Sequence, residues 1–381
     1  MPVDKLIPGV VVEQNLLDAE GNVILYAGVR LSMAYIKGIK ARGHTRLYVQ
    51  DPGETAVERD RDLSNETRVH AKKTLAAAFD RIADAVPAVR KATAEDIAKA
   101  LSDAHVRVLL TERGPLAQVP EIANRIVEEV LSHHTLAGVT CLKSGNTSLY
   151  DHCLDVCVVA IMIGKIVGLP RERLGQLATG CLLHDIGMLF VDSELDELER
   201  IRQHTVLGYE LLRKTEDPDL LSPHVAYEHH EHQDGTGLPR GLAGSNTIAR
   251  GHRGTAPVLT LIGEIAAIAN CYDNLLSGAH GHPPMAPDQA LAEISGRAGT
   301  RLNAEIVTAF RSVVPVYPKG TQVMLEGQTY DKCLAVVGEV HPDELSRPIV
   351  VLVRGPTGER IDPIKVDCRE EPSVKLRTVG L

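Results

Sequence analysis

Nine of the chain's sixteen histidines fall between His133 and His232, although histidine has no general tendency to gather in a core. Imidazole and carboxylate side chains together make donor sets for divalent cations of borderline softness. His152 shares a helical face with Leu149, Val156 and Ile163 and points inward. Alone, it reads as a satisfied core residue. His184 and Asp185 are harder to dismiss, because they interrupt the apolar run Gly180-Cys181-Leu182-Leu183-His184-Asp185-Ile186-Gly187-Met188. A carboxylate buried there without a partner costs several kcal/mol, roughly, so a compensating cation is expected. His204 lies in an amphipathic segment with Val206, Leu207, Leu211 and Leu212. His229 and His230 open the string that runs through Glu231, Asp234, Gly235, Gly237 and Pro239. Neighbouring histidines cannot face one way on a regular helix, but at a helix end they can serve adjacent cations. Gly235 and Gly237 permit backbone turns that other residues resist.

The elements that must bring these side chains together follow from periodicity. Residues 135–314 carry helical spacing broken by Gly168-Leu169-Pro170 and by the glycine-rich stretch from Asp234 to Gly244. Residues 1–52 read as a small β-rich module, with Val10–Val12, Val23–Tyr26 and Leu47–Val49 as strands. Residues 53–134 read as a linker followed by connecting helices, in which Ile97, Leu101, Val108 and Leu109 share a face and Thr93 stands at an N-cap position. Beyond Val316, strands at Thr321–Leu325, Leu334–Val337 and Ile349–Val353, with a hairpin at Gly355–Gly358, predict a small β-barrel-like module over 315–381. The expected class is mainly α: a helical bundle flanked by small N-terminal and C-terminal β modules.

Composition narrows the function classes. With 381 residues, 44% hydrophobic and 24% charged, the chain is an ordinary globular one and long enough for several modules. A net charge of −9 and the lack of a basic stripe argue against DNA or RNA as partner. The seven cysteines form no Cys-x-x-Cys pair, so neither a zinc ribbon nor a disulfide framework is suggested and a reducing cytoplasm fits. The longest apolar run, near Val156 to Gly164, stops at Lys165. No membrane partner is expected.

The order histidine, His184-Asp185, histidine, His229-His230-Glu231, then Asp234-Gly235-x-Gly237-x-Pro239-x-Gly241-Leu242 resembles the HD-GYP family, a branch of the HD metal-dependent phosphohydrolases. The matching motifs span about 150–315. The resemblance implies an HD-type helical bundle and a phosphodiesterase that hydrolyses the bacterial second messenger cyclic di-GMP to linear pGpG or GMP, by attack of a metal-bridging hydroxide. It implies two divalent metal ions, iron or manganese with zinc as the alternative, held by His152, His184, Asp185, His204, His229, His230 and Asn270. Asp185 would bridge, and His184 and Asp185 would be catalytic. Glu231, Asp234, Gly235, Gly237, Pro239 and Arg240 would form the substrate-facing signature loop. A cyclic dinucleotide is the implied ligand, with a homodimer or signalling-protein partner as a further option.

Five departures from the family pattern each remove something physical. Met188 stands where a lysine follows His-Asp-Ile-Gly. Asn270 replaces the first acid of the Ile268-Ala269-Asn270-Cys271-Tyr272-Asp273 motif; its amide can coordinate but neutralises no charge. Glu264 aligns with an arginine and would repel a phosphate, with Arg250 and Arg253 as candidate substitutes. Leu238 replaces the signature tyrosine. Ser148 stands where some members have the glutamate of a third metal, so two metals are expected. These losses keep a second reading open, a degenerate domain that binds metal and ligand or a partner without turnover and acts as a signalling module. A third reading, a scaffold with vestigial histidines, would leave several buried polar groups without their ion.

Overall fold

The computed structural model describes residues 62–85, 115–133, 148–214, 221–249, 258–279, 283–327 and 329–379, with parts of 3–50. The expected helices with Thr93, Ile97, Leu101, Val108 and Leu109, and the candidate substitutes Arg250 and Arg253, lie outside the described residues.

The N-terminal part pairs β1 (Val11–Val12) with β4 (Val49–Gln50) and β2 (Leu16–Leu17) with β3 (Val23–Leu25), all antiparallel. It also contains a helix that strand periodicity did not predict, α1 (Met33–Ala41). Ser32 starts it by accepting from the Tyr35 amide, and Ile36 and Ile39 bury one face against Val12, Leu25 and Leu47.

One continuous core then unites α2 (Asn65–Ala85), α3 (Val119–Leu131), α4 (Leu149–Ile166), α5 (Arg171–Leu183), α6 (Glu197–Leu212), α7 (Ser222–Glu228), α8 (Leu261–Ser277), α9 (Pro287–Gly296) and α10 (Ala304–Arg311). Helix α4 starts at Ser148, whose hydroxyl accepts from the Asp151 amide. That is the role of the side chain standing at the third-metal position. Gly168, at φ +78, ends α4, and Pro170 sets the start of α5. From Cys153 to Gly164 every residue of α4 is buried, which identifies it as the central helix. Connecting helix α2 is riveted to it: Lys72 Nζ donates to Asp151 at 2.9 Å and Arg68 Nη2 to Asp155 at 2.9 Å. The two carboxylates flank His152.

The C-terminal part is one antiparallel sheet of β5 (Gln322–Glu326), β6 (Leu334–Glu339), β7 (Ile349–Arg354), β8 (Arg360–Asp367) and β9 (Lys375–Thr378), in the order β8-β7-β6-β5-β9. Strands β8 and β9 stand at opposite edges, so among the described residues the ladder is an open sheet rather than a closed barrel. Thr378 Oγ1 donates to Asp288 on α9 at 3.0 Å, tying the sheet to the bundle. No described helix is long and apolar enough to cross a membrane.

Candidate metal centre

Four imidazoles converge on one carboxylate. His152 comes from α4, His184 and Asp185 from the end of α5, His204 from α6, and His229 from the end of α7. Oδ2 of Asp185 lies 3.6 Å from Nε2 of His152 and 3.5 Å from Nε2 of His184. Oδ1 lies 3.4 Å from Nε2 of His204 and 3.6 Å from Nε2 of His229. Each carboxylate oxygen thus faces its own imidazole pair. His230 joins the second pair, with its ring centroid 5.2 Å from that of His204 and 4.3 Å from that of His229. The adjacent histidines share a site because α7 ends at Glu228 and the chain turns there.

The opposite ring nitrogens decide what the converging ones can do. Nδ1 of His184 lies 2.7 Å from the Cys181 carbonyl, Nδ1 of His204 2.8 Å from that of Arg200, and Nδ1 of His229 3.0 Å from that of Val225. A carbonyl oxygen only accepts, so in each ring Nδ1 carries the hydrogen and Nε2 of the neutral ring presents a lone pair. For His184 and His229 those carbonyls belong to last helical turns, where a carbonyl's second lone pair is open to a side-chain donor. Burial pushes the His184 imidazole down to about 3, which keeps it neutral. Burial works against a charge on Asp185, but the surrounding imidazoles, His184 first, hold its carboxyl well below the ordinary range. Nε2 of His184 stands 3.3 Å from Nε2 of His152, and Nε2 of His204 3.2 Å from Nε2 of His229. Lone pairs facing one another at such distances repel, and a cation between them removes the conflict. The donor sets His152, His184, Asp185 and His204, His229, His230 each have their ligand atoms within 4.8 Å of one another, and they fit divalent cations on this ground.

Gly187 makes the convergence possible, and nothing in the sequence pattern singled it out beyond its place after His184-Asp185-Ile186. A Cβ there would stand 2.0 Å from the His204 carbonyl oxygen and 2.7 Å from the Gly208 amide. Backbone therefore packs directly on backbone between the short 3-10 turn Ile186–Phe190 and α6.

The expected signature loop is a closed scaffold. Buried Glu231 accepts from the amides of Arg240 at 2.8 Å and Leu242 at 3.1 Å, closing the loop on itself. Asp234, exposed, caps the turn by accepting from Thr236. Gly235 has φ +77, whereas Gly237 is required by close approach, a Cβ there meeting the His232 amide at 2.2 Å. Pro239 follows a cis bond. Arg240 lies over the Tyr227 ring at 4.4 Å and donates to Glu228 at 2.7 Å. Glu228 also accepts from the Thr260 amide and hydroxyl; sequence reasoning passed over it, although it directly precedes His229-His230.

Two departures acquire a physical account. Glu264 is buried, and its carboxylate accepts from Gln233 Nε2 at 2.8 Å and Asn303 Nδ2 at 3.3 Å. It braces the signature loop against α10, which corrects the expectation that it would confront a phosphate. The Asn270 amide oxygen accepts from Asn274 at 3.0 Å, one turn along α8. Cys153 and Cys157 are buried core residues.

Comparison with known proteins agrees with this geometry. Residues 149–275 match the model of the HD domain family. That segment is similar to an HD domain. The chain is 26% identical over 244 residues to the cyclic di-GMP phosphodiesterase PA4108 of Pseudomonas aeruginosa, covering 61% of this chain and 55% of that protein. It is 29% identical over 213 residues to the cyclic di-GMP phosphodiesterase response regulator RpfG of Xanthomonas campestris pv. campestris, covering 53% of this chain and 52% of that one. A 3'3'-cGAMP-specific phosphodiesterase of Vibrio cholerae matches at 28% over 44% of this chain and 35% of its own length. The chain thus spans about half the length of the first two of these relatives. Among solved structures, Bd1817, a HDG"Y"P protein from Bdellovibrio bacteriovorus, is similar at 15% identity and a TM-score of 0.42, over 82% of this chain and 98% of that one. The HD-GYP resemblance read from the motifs agrees with the HD domain match and with the printed names of these relatives.

Proposed function

We propose that this HD domain is a metal-dependent phosphodiesterase acting on a cyclic dinucleotide, with cyclic di-GMP as the first candidate. The observation that carries the reading is Asp185 presenting one oxygen to each of two imidazole pairs whose Nε2 atoms turn toward it. His152, His184 and Oδ2 of Asp185 would hold one cation, and His204, His229, His230 and Oδ1 the other. When bound, two divalent cations supply positive charge to the phosphoryl oxygens and lower the pKa of a water that attacks in line. Iron and manganese suit this mixture of imidazole and carboxylate, and zinc is compatible with it. The chain's own part is positional. Asp185 shares its charge between both positions, the helix-end carbonyls aim the rings, and the Glu231 and Glu264 braces fix the loop beside them. Arg240, with its charge engaged by Glu228, is assigned to holding the loop. The modules outside the HD domain, with boundaries near 52, 134 and 314, are proposed as regulatory or partner-binding parts.

A second reading, binding without turnover, is favoured by Met188 at a position where the family presents a lysine. One experiment separates the two. Protein purified without chelator is assayed for bound metal and then mixed, in excess, with cyclic di-GMP. Linear dinucleotide or GMP that forms with the native chain and is lost in His184→Ala supports the enzyme. Ligand binding with no product selects the second reading, and protein with no bound metal overturns both.

A further inference from the structure

The four rings that face Asp185 are not held alike. His184, His204 and His229 donate from Nδ1 to backbone carbonyls. His152 instead places Nδ1 2.8 Å from Oδ2 of Asp273, whose side chain is fully buried on α8. We infer that Asp273, acting through His152, is the positioning residue that sets the strength of the cation position formed by His152, His184 and Asp185, returning to the site the negative charge that Asn270 does not supply. The inference rests on the metal reading above.

Geometry excludes a direct role for Oδ2 as ligand. The two nitrogens of His152 are on opposite sides of the ring, with Nδ1 turned to Asp273 and Nε2 3.6 Å from Asp185. The ring therefore stands between this oxygen and the cation position. An ionised carboxylate has no hydrogen to donate, so it fixes the hydrogen of His152 on Nδ1 and leaves the ring's lone pair on Nε2. A full negative charge behind an imidazole also raises its basicity as a ligand more than a carbonyl dipole does, and such outer partners typically govern metal affinity by about 10–100-fold. The charge count gives this effect its importance. Asn270 and Asp273 are one turn apart on α8, and the first is a neutral amide engaged with Asn274. Helix α8 thus delivers its carboxylate one turn later, through a ring rather than directly.

A purely structural alternative is that Asp273 merely pins α8 to α4. The two roles part in a metal titration. Chelator-stripped protein is titrated with Mn2+ by calorimetry, for the native chain, Asp273→Asn, His152→Ala and the double variant, with thermal midpoints of the stripped forms measured in parallel. The expected result is two Mn2+ positions in the native chain, one of them weakened about 10–100-fold in Asp273→Asn and the other unchanged. In the His152→Ala background, Asp273→Asn is expected to cause no further loss. Nitrogen-15 spectra of the stripped native chain are expected to show His152 protonated at Nδ1, which tests the idea even if the variants do not fold. Native Mn2+ affinity in folded Asp273→Asn overturns the inference while leaving the metal reading intact. So does an equal additional loss in the His152→Ala background, or an Nε2–H ring in the native chain. A native chain that takes up no Mn2+ overturns the metal reading first, and the inference with it.

Discussion

Replacing Gly187 by alanine adds a single methyl group at the tightest backbone contact beside the histidines. That methyl carbon would stand 2.0 Å from the His204 carbonyl oxygen, whereas ordinary contact begins at 3.4 Å. The turn carrying Asp185 and helix α6 carrying His204 must then separate by about 1.4 Å, since neither obstacle is a flexible side-chain end. Such overpacking typically costs about 1–3 kcal/mol, and more where backbone must move. The same displacement carries Nε2 of His204 away from Oδ1 of Asp185, now 3.4 Å distant. The second cation position should weaken far more than the first, because His152 and His184 reach Asp185 from helices that need not move. Calorimetric titration of chelator-stripped Gly187→Ala with Mn2+, beside urea unfolding, measures both effects. A variant with native unfolding midpoint and two native Mn2+ affinities would refute the argument that this glycine is fixed by close approach.

Lys72→Met removes the buried partner of Asp151. Breaking a buried pair costs about 3–5 kcal/mol, but Asp151 is 27% exposed and keeps Ser148, so a loss of about 1–3 kcal/mol in urea unfolding is expected; an unchanged midpoint removes this rivet from the account of α2. The pH dependence of the metal-stripped protein has a definite sign. His184 titrates near 3 when folded against 6.5 ordinarily, chiefly through burial, so between those values the unfolded chain binds a proton that the folded chain refuses. Stability therefore falls as pH drops from about 6.5 toward 3, by at most about 1.4 kcal/mol per pH unit for this group. Asp185, held well below its ordinary 3.8, acts in the same direction at the acid end. Urea midpoints between pH 4.5 and 7 should rise less steeply in His184→Gln than in the native chain, and parallel curves would contradict the assignment. Met188→Lys restores the cation of the family pattern. A charge-assisted hydrogen bond of about 1.5–3 kcal/mol to a phosphate would raise single-turnover hydrolysis of cyclic di-GMP by about 10–100-fold, and no gain in a variant that still binds Mn2+ would show that the missing lysine is not what limits the site.

The donor set was legible because apolar helices cannot hide His184-Asp185 cheaply, and because the spacing after His229 is specific. Positions within the site were less so. Glu264 looked like a charge facing substrate, since a linear motif does not reveal that its carboxylate turns toward Gln233 and Asn303. Gly187 carries no sequence mark distinguishing close approach from a turn, and only the path of α6 across it shows which applies. Helix α1 was missed because its short apolar set is indistinguishable from strand residues without knowledge of the Ser32 cap. Strand β8 is implied by the hairpin at Gly355–Gly358, but its extent is not legible because most of its residues are exposed and Pro363 interrupts it, which suits an edge strand and erases the alternation that marks a half-buried one.

The retained and the altered positions divide along a physical line. What is retained aims lone pairs: the helix-end carbonyls behind His184 and His229, the Arg200 carbonyl behind His204, and Asp273 behind His152. None of that depends on the residues at 188, 238, 264 or 270. The Met188 amide is tied to the Asp185 carbonyl, and the Leu238 amide to the His230 carbonyl, so both altered residues keep their backbone roles whatever their side chains are. On the proposed function, cation binding and phosphate handling would be carried by separable atoms, the first by rings and their partners, the second by side chains that project from the same backbone. A chain can lose the second and keep the first at little cost to its fold. That separability is why bound metal alone cannot distinguish an enzyme from a sensor here, and why product formation under single-turnover conditions is the measurement that decides.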